Sequence, residues 1–254
     1  MAQSVLKEEA AALSVRSGWI NARLIARIVL TGGALVVWFW SQKLIGAKGV
    51  PDLAIGDRIH SATASANFYL HMHPFAANVL LIGSSAIIDL LGVFLLARWI
   101  FGGALRPFLG LVIVLGLRQI VQWLVALPAP PNAIWHYPGF PSLLVTYGVS
   151  NDYFFSGHTA IAVLGVTEIT RFGKRWLTVL GVLIALFEVA TVLVLRAHYT
   201  MDVFTGIVTG LYAAYITSWI SSSPAIEKLK FGETRLELTL PRSLRLLLQN
   251  RATR

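Results

Sequence analysis

Long apolar runs, separated by short clusters of charge or by proline-rich polar stretches, set the pattern of this chain. The runs lie near 24–42, 76–97, 107–127, 157–171, 176–196 and 201–220. Each approaches the roughly 20 residues that an α-helix needs to cross a bilayer core of about 30 Å. The pattern predicts an all-α polytopic membrane protein, a bundle of six transmembrane helices. Residues 1–23 form an N-terminal segment, 24–220 the six-span membrane domain and 221–254 a basic tail. Lys7, Glu8, Glu9 and Arg16 stand in the first segment without the apolar stretch of a cleaved signal peptide, so the first span is expected to be retained as an anchor.

The connections alternate in character. Those after the second and fourth runs are short and charged, whereas 51–74 and 128–155 are longer and mixed. In the first of these long connections His60, Thr63, Asn67 and His71 recur at helical spacing, which predicts the solvated face of a helix lying in the membrane interface. The second carries Pro128, Pro130, Pro131, Trp135, Tyr137, Pro138, Phe140 and Pro141, too much proline for a helix. It is expected to lie at headgroup level as an aromatic cover. In the tail, basic residues alternate with Leu244, Leu246, Leu247 and Leu248, which fits either a segment resting on anionic cytoplasmic lipid or a solvated tail.

Composition agrees with a membrane class: 56% of the residues are hydrophobic and 13% charged. The formal net charge of +9 follows the spans and does not form a nucleic-acid patch. Lys7, Arg16, Arg23, Arg98, Arg106, Arg171, Lys174, Arg175 and the tail share one side, while 128–155 has no Lys or Arg. By the positive-inside rule both termini are cytoplasmic. The working surface then faces the periplasm of a bacterial inner membrane, the expected location, or the lumen of a eukaryotic one. No cysteine is present, which removes disulfides, thiolate catalysis and Cys-ligated zinc.

Chemistry concentrates at two span boundaries on that same side. In Ser156-Gly157-His158-Thr159, Ser156 is a good N-cap and Gly157 permits close approach, so the first turn of the fourth span offers backbone N–H groups to an anion. In Arg196-Ala197-His198-Tyr199-Thr200-Met201-Asp202, a helical register puts Asp202 on the face of His198, where it can accept Nδ1–H and leave Nε2 nucleophilic. A metal held by His158, His198 and Asp202, or a transporter with buried charges, are the competing classes. Asp89, Arg118 and Glu188 fall at similar depth near the middle of their spans, which predicts that Arg118 pairs with one of the acids, as a clasp or as the floor of a cavity. Gln119 and Gln122 would line the cavity above, and Glu168 is expected to be structural.

These segments resemble the motifs of the type 2 phosphatidic acid phosphatase superfamily, in particular its sphingomyelin synthase-like branch, where Ser-Gly-His-Thr and His-Tyr-Thr-x-Asp-Val recur across six spans. Arg118, followed ten positions later by Pro128 in Leu127-Pro128, matches that branch as well. The phosphatases carry an arginine six residues before the second histidine, where this chain has Val192. Their upstream basic pattern is mimicked by Arg98 and Arg106-Pro107, which the charge distribution places on the cytoplasmic side. The resemblance therefore implies a membrane phosphotransferase that moves phosphocholine or phosphoethanolamine from a phospholipid donor to a lipid-alcohol acceptor, ceramide or diacylglycerol, through a phosphohistidine. It implies His158, His198 and Asp202 as catalytic residues. Ser156, Gly157, Thr159, Asp152, Tyr199, Arg118 and Gln122 would bind substrate, with no metal or cofactor. The alternatives are a lipid phosphate phosphatase or a phospholipase C-like hydrolase and, further off, a transporter or scaffold. Oligomeric state is not legible.

Overall fold

The computed structural model describes residues 22, 24–44, 55–147 and 153–222, and all regular structure among them is helical. The helices are α1 (Leu24–Leu44), α2 (Arg58–Ala62), α3 (Ala64–Met72), α4 (Pro74–Ile100), α5 (Leu105–Leu124), α6 (Gly157–Thr170), α7 (Arg175–Val194) and α8 (Thr200–Ser221). Nearly all of the N-terminal segment, the basic tail beyond Ser222, and Asp152 lie outside the described residues.

Among the described residues five helices, α1, α4, α5, α7 and α8, are long and apolar enough to cross a membrane. The predicted fourth span corresponds to α6, whose 14 residues rise about 21 Å, short of a bilayer core. α6 is the innermost helix, packed on α4, α5, α7 and α8, and most of its residues are buried. Its start is set where Ser156 caps it, directly after a bend at Phe154 and the buried Phe155.

Two glycines let α8 cross α6 closely. A Cβ on Gly206 would stand 2.7 Å from the Ser156 carbonyl oxygen, and one on Gly210 would stand 2.7 Å from that of Ala160. At the opposite end of the bundle Glu168, fully buried, accepts from Arg106 Nε at 2.7 Å and pairs with Arg171 Nε at 3.2 Å. Glu168 is thus structural, as expected. Arg27 of α1 joins this end, donating to the Ile100 carbonyl at 3.1 Å.

The segment after α5 is not only a cover: Tyr137 and Phe140 are exposed, but other parts of it are buried. It folds back between the helices: Leu144 and Val145 are buried in the main core beside Ile88, Leu91 and Leu111, and Ile134 packs with Leu70, Ala77, Leu81 and Leu195. Irregular backbone among apolar helices is tolerated where its polar groups find partners within the protein. Asp89 supplies them here, accepting from Leu143 N at 2.8 Å, Leu144 N at 2.9 Å and Ser142 Oγ at 3.0 Å. Gly92, one turn on, has no Cβ where Leu144 packs.

Those bonds also correct the expected clasp. Asp89 serves the re-entrant backbone and Glu188 accepts from Ser84 Oγ at 2.6 Å, while Arg118 Nε donates to the Phe155 carbonyl at 3.1 Å. Similar depth did not mean contact, because each group faces a different neighbour. The polar face of the 51–74 connection is corrected too. His60 and Asn67 are buried, and Asn67 Nδ2 donates to the Val194 carbonyl at 2.9 Å, so α2 and α3 use that face to dock on the end of α7.

Asp89→Leu tests the carboxylate's role. It leaves the Leu143 and Leu144 N–H groups without their acceptor, at about 1–3 kcal/mol per orphaned group. A clear drop in melting temperature in detergent is expected, whereas Asp89→Asn, which keeps one acceptor oxygen, should lose less.

Candidate active site

Both histidines are placed by residues that satisfy exposed backbone at helix ends. α7 stops at Val194, and the chain turns through Arg196, whose φ of 54° is left-handed and uncommon for a residue with a side chain. Two hydrogen bonds hold it there, from Arg196 Nη1 to the Pro131 carbonyl at 2.7 Å and from Nη2 to the His60 carbonyl at 3.2 Å. His60 Nε2 faces the His198 carbonyl at 3.0 Å, and since a carbonyl only accepts, the ring nitrogen donates. The His60 ring stacks on Tyr199 at 5.6 Å.

Asp57, the N-cap of α2, ties that helix to the start of α8, accepting from Thr200 N at 2.6 Å and Thr200 Oγ1 at 2.8 Å. Burial raises its carboxyl, but these bonds, with His60 beside it, outweigh burial and hold it below its usual value. It therefore stays ionised at the positive end of the α8 dipole.

His198 Nδ1 lies 2.7 Å from the Tyr153 carbonyl, so Nδ1 carries the proton and Nε2 is left with its lone pair. Asp202 does not fill the role expected of it. Its Oδ2 is 3.9 Å from Nδ1 and accepts instead from Tyr199 N at 2.8 Å, capping α8. The i,i+4 register assumed a helix through residue 198, but α8 begins at Thr200, which turns the carboxylate toward the helix start. Burial first, then the positive charge of Arg118 and the neighbouring His158, push His198 well below its usual value, and the bond to Tyr153 opposes them only in part. The ring is neutral.

His158 enters from the first turn of α6. Ser156 Oγ accepts from Thr159 N at 3.4 Å and Thr159 Oγ1 at 3.0 Å, so these two build the turn. Ser156 N donates to the Asp202 carbonyl at 3.1 Å, joining the starts of α6 and α8. His158 is buried against the edge of Trp135, ring centres 5.3 Å apart, and its Nε2 has no hydrogen-bond partner. A buried ring nitrogen left in that state on a cavity wall is a candidate for chemistry.

The two histidines line one cavity, with Arg118 and Gly157 on one side and Trp38, Trp135, Tyr153 and Leu144 around it. Gly157 admits the arginine: a Cβ there would stand 2.9 Å from Arg118 Nε. Of the sequence-predicted residues the structure thus brings together His158, His198, Arg118 and Gly157. Ser156, Thr159 and Asp202 stand behind them as helix caps. Tyr199 lies under His60, away from the cavity, Gln122 is buried in α5 but not among the lining residues, and Asp152 lies outside the described residues. Sequence reasoning missed the Tyr153 carbonyl, since a backbone acceptor carries no residue signature, and it placed Trp135 at the surface. The burial of His60 was open to detection in its i,i+7 pairing with Asn67, but that spacing fits a solvated face equally well.

The chain belongs to the AtPDCT1/2 family, whose model matches residues 57–219, from the Asp57 cap through nearly all of α8. It is 23% identical over 198 residues to phosphatidylcholine:diacylglycerol cholinephosphotransferase 1 of Arabidopsis thaliana, an alignment that covers 78% of this chain. The same alignment spans 62% of the plant protein's length. No solved structure matches. A plant relative lends no support to the expected bacterial inner membrane or its periplasmic face.

His60→Phe keeps an aromatic ring over Tyr199 but leaves the His198 carbonyl without its donor. Melting temperature should fall by the equivalent of about 1–3 kcal/mol, with less loss for His60→Gln, whose side-chain amide can donate to the same carbonyl.

Proposed function

We propose that this protein transfers a phospholipid headgroup, phosphocholine or phosphoethanolamine, to a lipid alcohol such as diacylglycerol or ceramide. The observation that carries the reading is a cavity that brings together His158 of α6, His198 of the turn between α7 and α8, and Arg118 beside them. Family membership supports it, as does the activity for which the Arabidopsis relative is named.

The chemistry follows from the tautomer. His198 Nε2 attacks phosphorus and the bond to the glyceryl oxygen breaks, while Tyr153 holds the Nδ1 proton of the ring that becomes cationic. His158, which takes up a proton once the anionic phosphodiester offsets Arg118 beside it, protonates the departing alkoxide, a step typically worth about 10²–10⁴-fold. Diacylglycerol leaves. The acceptor hydroxyl then gives its proton to the neutral His158 and attacks the phosphohistidine, expelling His198 with its lone pair restored. Asp202 acts from 3.9 Å as a charge near the imidazolium rather than as its hydrogen-bond acceptor.

Charge favours a diester over a monoester. Val192 is fully buried among Leu193, Ala197 and Val203, so the position where the resembling phosphatases place an arginine adds no cation here. Arg106 is occupied at the other end of the bundle by Glu168. Among the described residues, one guanidinium, that of Arg118, lines the cavity, which suits the single charge of a phosphodiester.

Purified protein incubated with headgroup-labelled phosphatidylcholine and unlabelled diacylglycerol or ceramide should form labelled product, and His198→Ala should abolish it. Phosphate release from phosphatidate as the main activity would overturn the transferase reading in favour of a phosphatase. Label appearing as free phosphocholine regardless of acceptor would assign a hydrolase.

The basic residues Arg27, Arg98, Arg106, Arg171, Lys174 and Arg175 gather at the end of the bundle away from the histidines, which supports a site on the non-cytoplasmic face. Because the chain has no cysteine, single introduced thiols report sidedness cleanly. In sealed vesicles with the lumen inside, Lys174→Cys should react with an impermeant maleimide and Tyr137→Cys should react only after permeabilisation.

A further inference from the structure

The catalytic cavity does not end at its polar walls. Trp38, Leu115 and Leu144 line it and also line a second cavity, which continues between α1 and α5 past Ala34, Leu35, Phe108, Leu111 and Val112. The second cavity is apolar except for Thr31 at its far end. From Trp38 to Thr31 is seven residues of α1, about 10 Å, room for roughly eight methylenes of an extended chain. α1 is otherwise exposed along much of its length, with Val36 and Val37 more than 60% accessible, yet Trp38 is 5% exposed. The indole Nε1–H of Trp38 is buried with no hydrogen-bond partner. A lone donor at the point where a polar cavity becomes apolar needs an acceptor there.

We propose that this second cavity is an acyl-chain slot, in which one fatty acyl chain of the lipid substrate lies between α1 and α5 while its phosphate rests at His198 and Arg118. The assignment rests on the headgroup-transfer reading above for the placement of the phosphate. The occupant is set by chemistry on both sides of Trp38: an anionic group fits the arginine and histidines, and an alkyl chain fits the aliphatic and aromatic walls. An ester carbonyl between them meets the Trp38 N–H. A soluble phosphodiester would leave the slot unused, and a detergent or sterol would not place an anion at Arg118.

Phosphatidylcholine carrying a diazirine midway along one acyl chain, photolysed with the wild-type protein in nanodiscs, tests the slot without turnover. Leu111 is 4% exposed, so bulk bilayer lipid does not reach it. Adducts on Leu111 or Phe108, lost in Ala34→Trp, are expected. Adducts confined to outward residues such as Val36 and Val37 would overturn the slot. In the transfer assay Ala34→Trp should lower kcat/KM for a dipalmitoyl donor at least tenfold more than for a dibutyryl donor, whose chains end before Ala34. Equal loss for both would reject the assignment. Should Ala34→Trp fail to fold, Leu111→Ala, which widens the slot, should shift preference toward bulkier chains, and an unchanged chain profile there would also reject it. A Leu111 adduct in a protein that transfers no headgroup would keep the slot and remove the proposed reaction.

Discussion

The Ser156 N–H donates to the Asp202 carbonyl, and at that point the two halves of the site become one object. Ser156 caps α6 with its side chain and Asp202 caps α8 with its carboxylate, so one backbone bond fastens two helix starts that are 46 positions apart. The approach is close because Gly206 has no side chain to hold α8 away from the Ser156 carbonyl. His158 follows Ser156 by two residues and His198 precedes Asp202 by four. Their shared cavity is a consequence of this crossing, and a side chain at position 206 would push the two imidazoles apart before it disturbed either one.

A second constraint shapes everything around that crossing. The described residues between α5 and α6, 125–147 and 153–156, run without helix and are partly folded inside an apolar bundle, so their buried amides and carbonyls need partners that water would otherwise supply. Polar side chains meet this need. Asp89 accepts from Leu143 and Leu144, Arg118 donates to Phe155, and His198 donates to Tyr153. On the far side His60, Asn67 and Arg196 do the same for the α7–α8 turn. Asp89, Arg118 and His198 therefore serve backbone first, while Glu188 accepts from the Ser84 hydroxyl. That is why Asp89 and Glu188 are not bonded to Arg118, and why orientation of the His198 ring passes from a carboxylate to a carbonyl.

This use of polar groups has a chemical outcome. A carbonyl fixes the His198 tautomer without placing a full negative charge against the ring, and Arg118 stands at the cavity with its Nε bonded to backbone. The cavity has Arg118 and both imidazoles on its wall and adjoins an apolar passage beside α1.

Much of the architecture was legible from residue order alone. Apolar runs of sufficient length marked the helices, since burying backbone in lipid leaves few alternatives, and the helix-capping serine before His158 was readable from Ser156-Gly157. The candidate histidines stood out because two imidazoles flanking apolar runs on one predicted side mark a polar meeting point that anchoring in lipid does not require. What required tertiary structure was everything that depends on a partner distant in the chain. Proline and aromatic content showed that 128–147 is not helical, but not that Asp89 draws it inward. Depth counting aligned Asp89, Arg118 and Glu188, but rotation about each helix axis decided that they face different neighbours. Spacing placed Asp202 near His198, and the start of α8 at Thr200 turned its oxygen to Tyr199 N. Sequence encodes which groups must be satisfied; packing chooses which group satisfies them, because a hydrogen bond depends on direction as well as on depth.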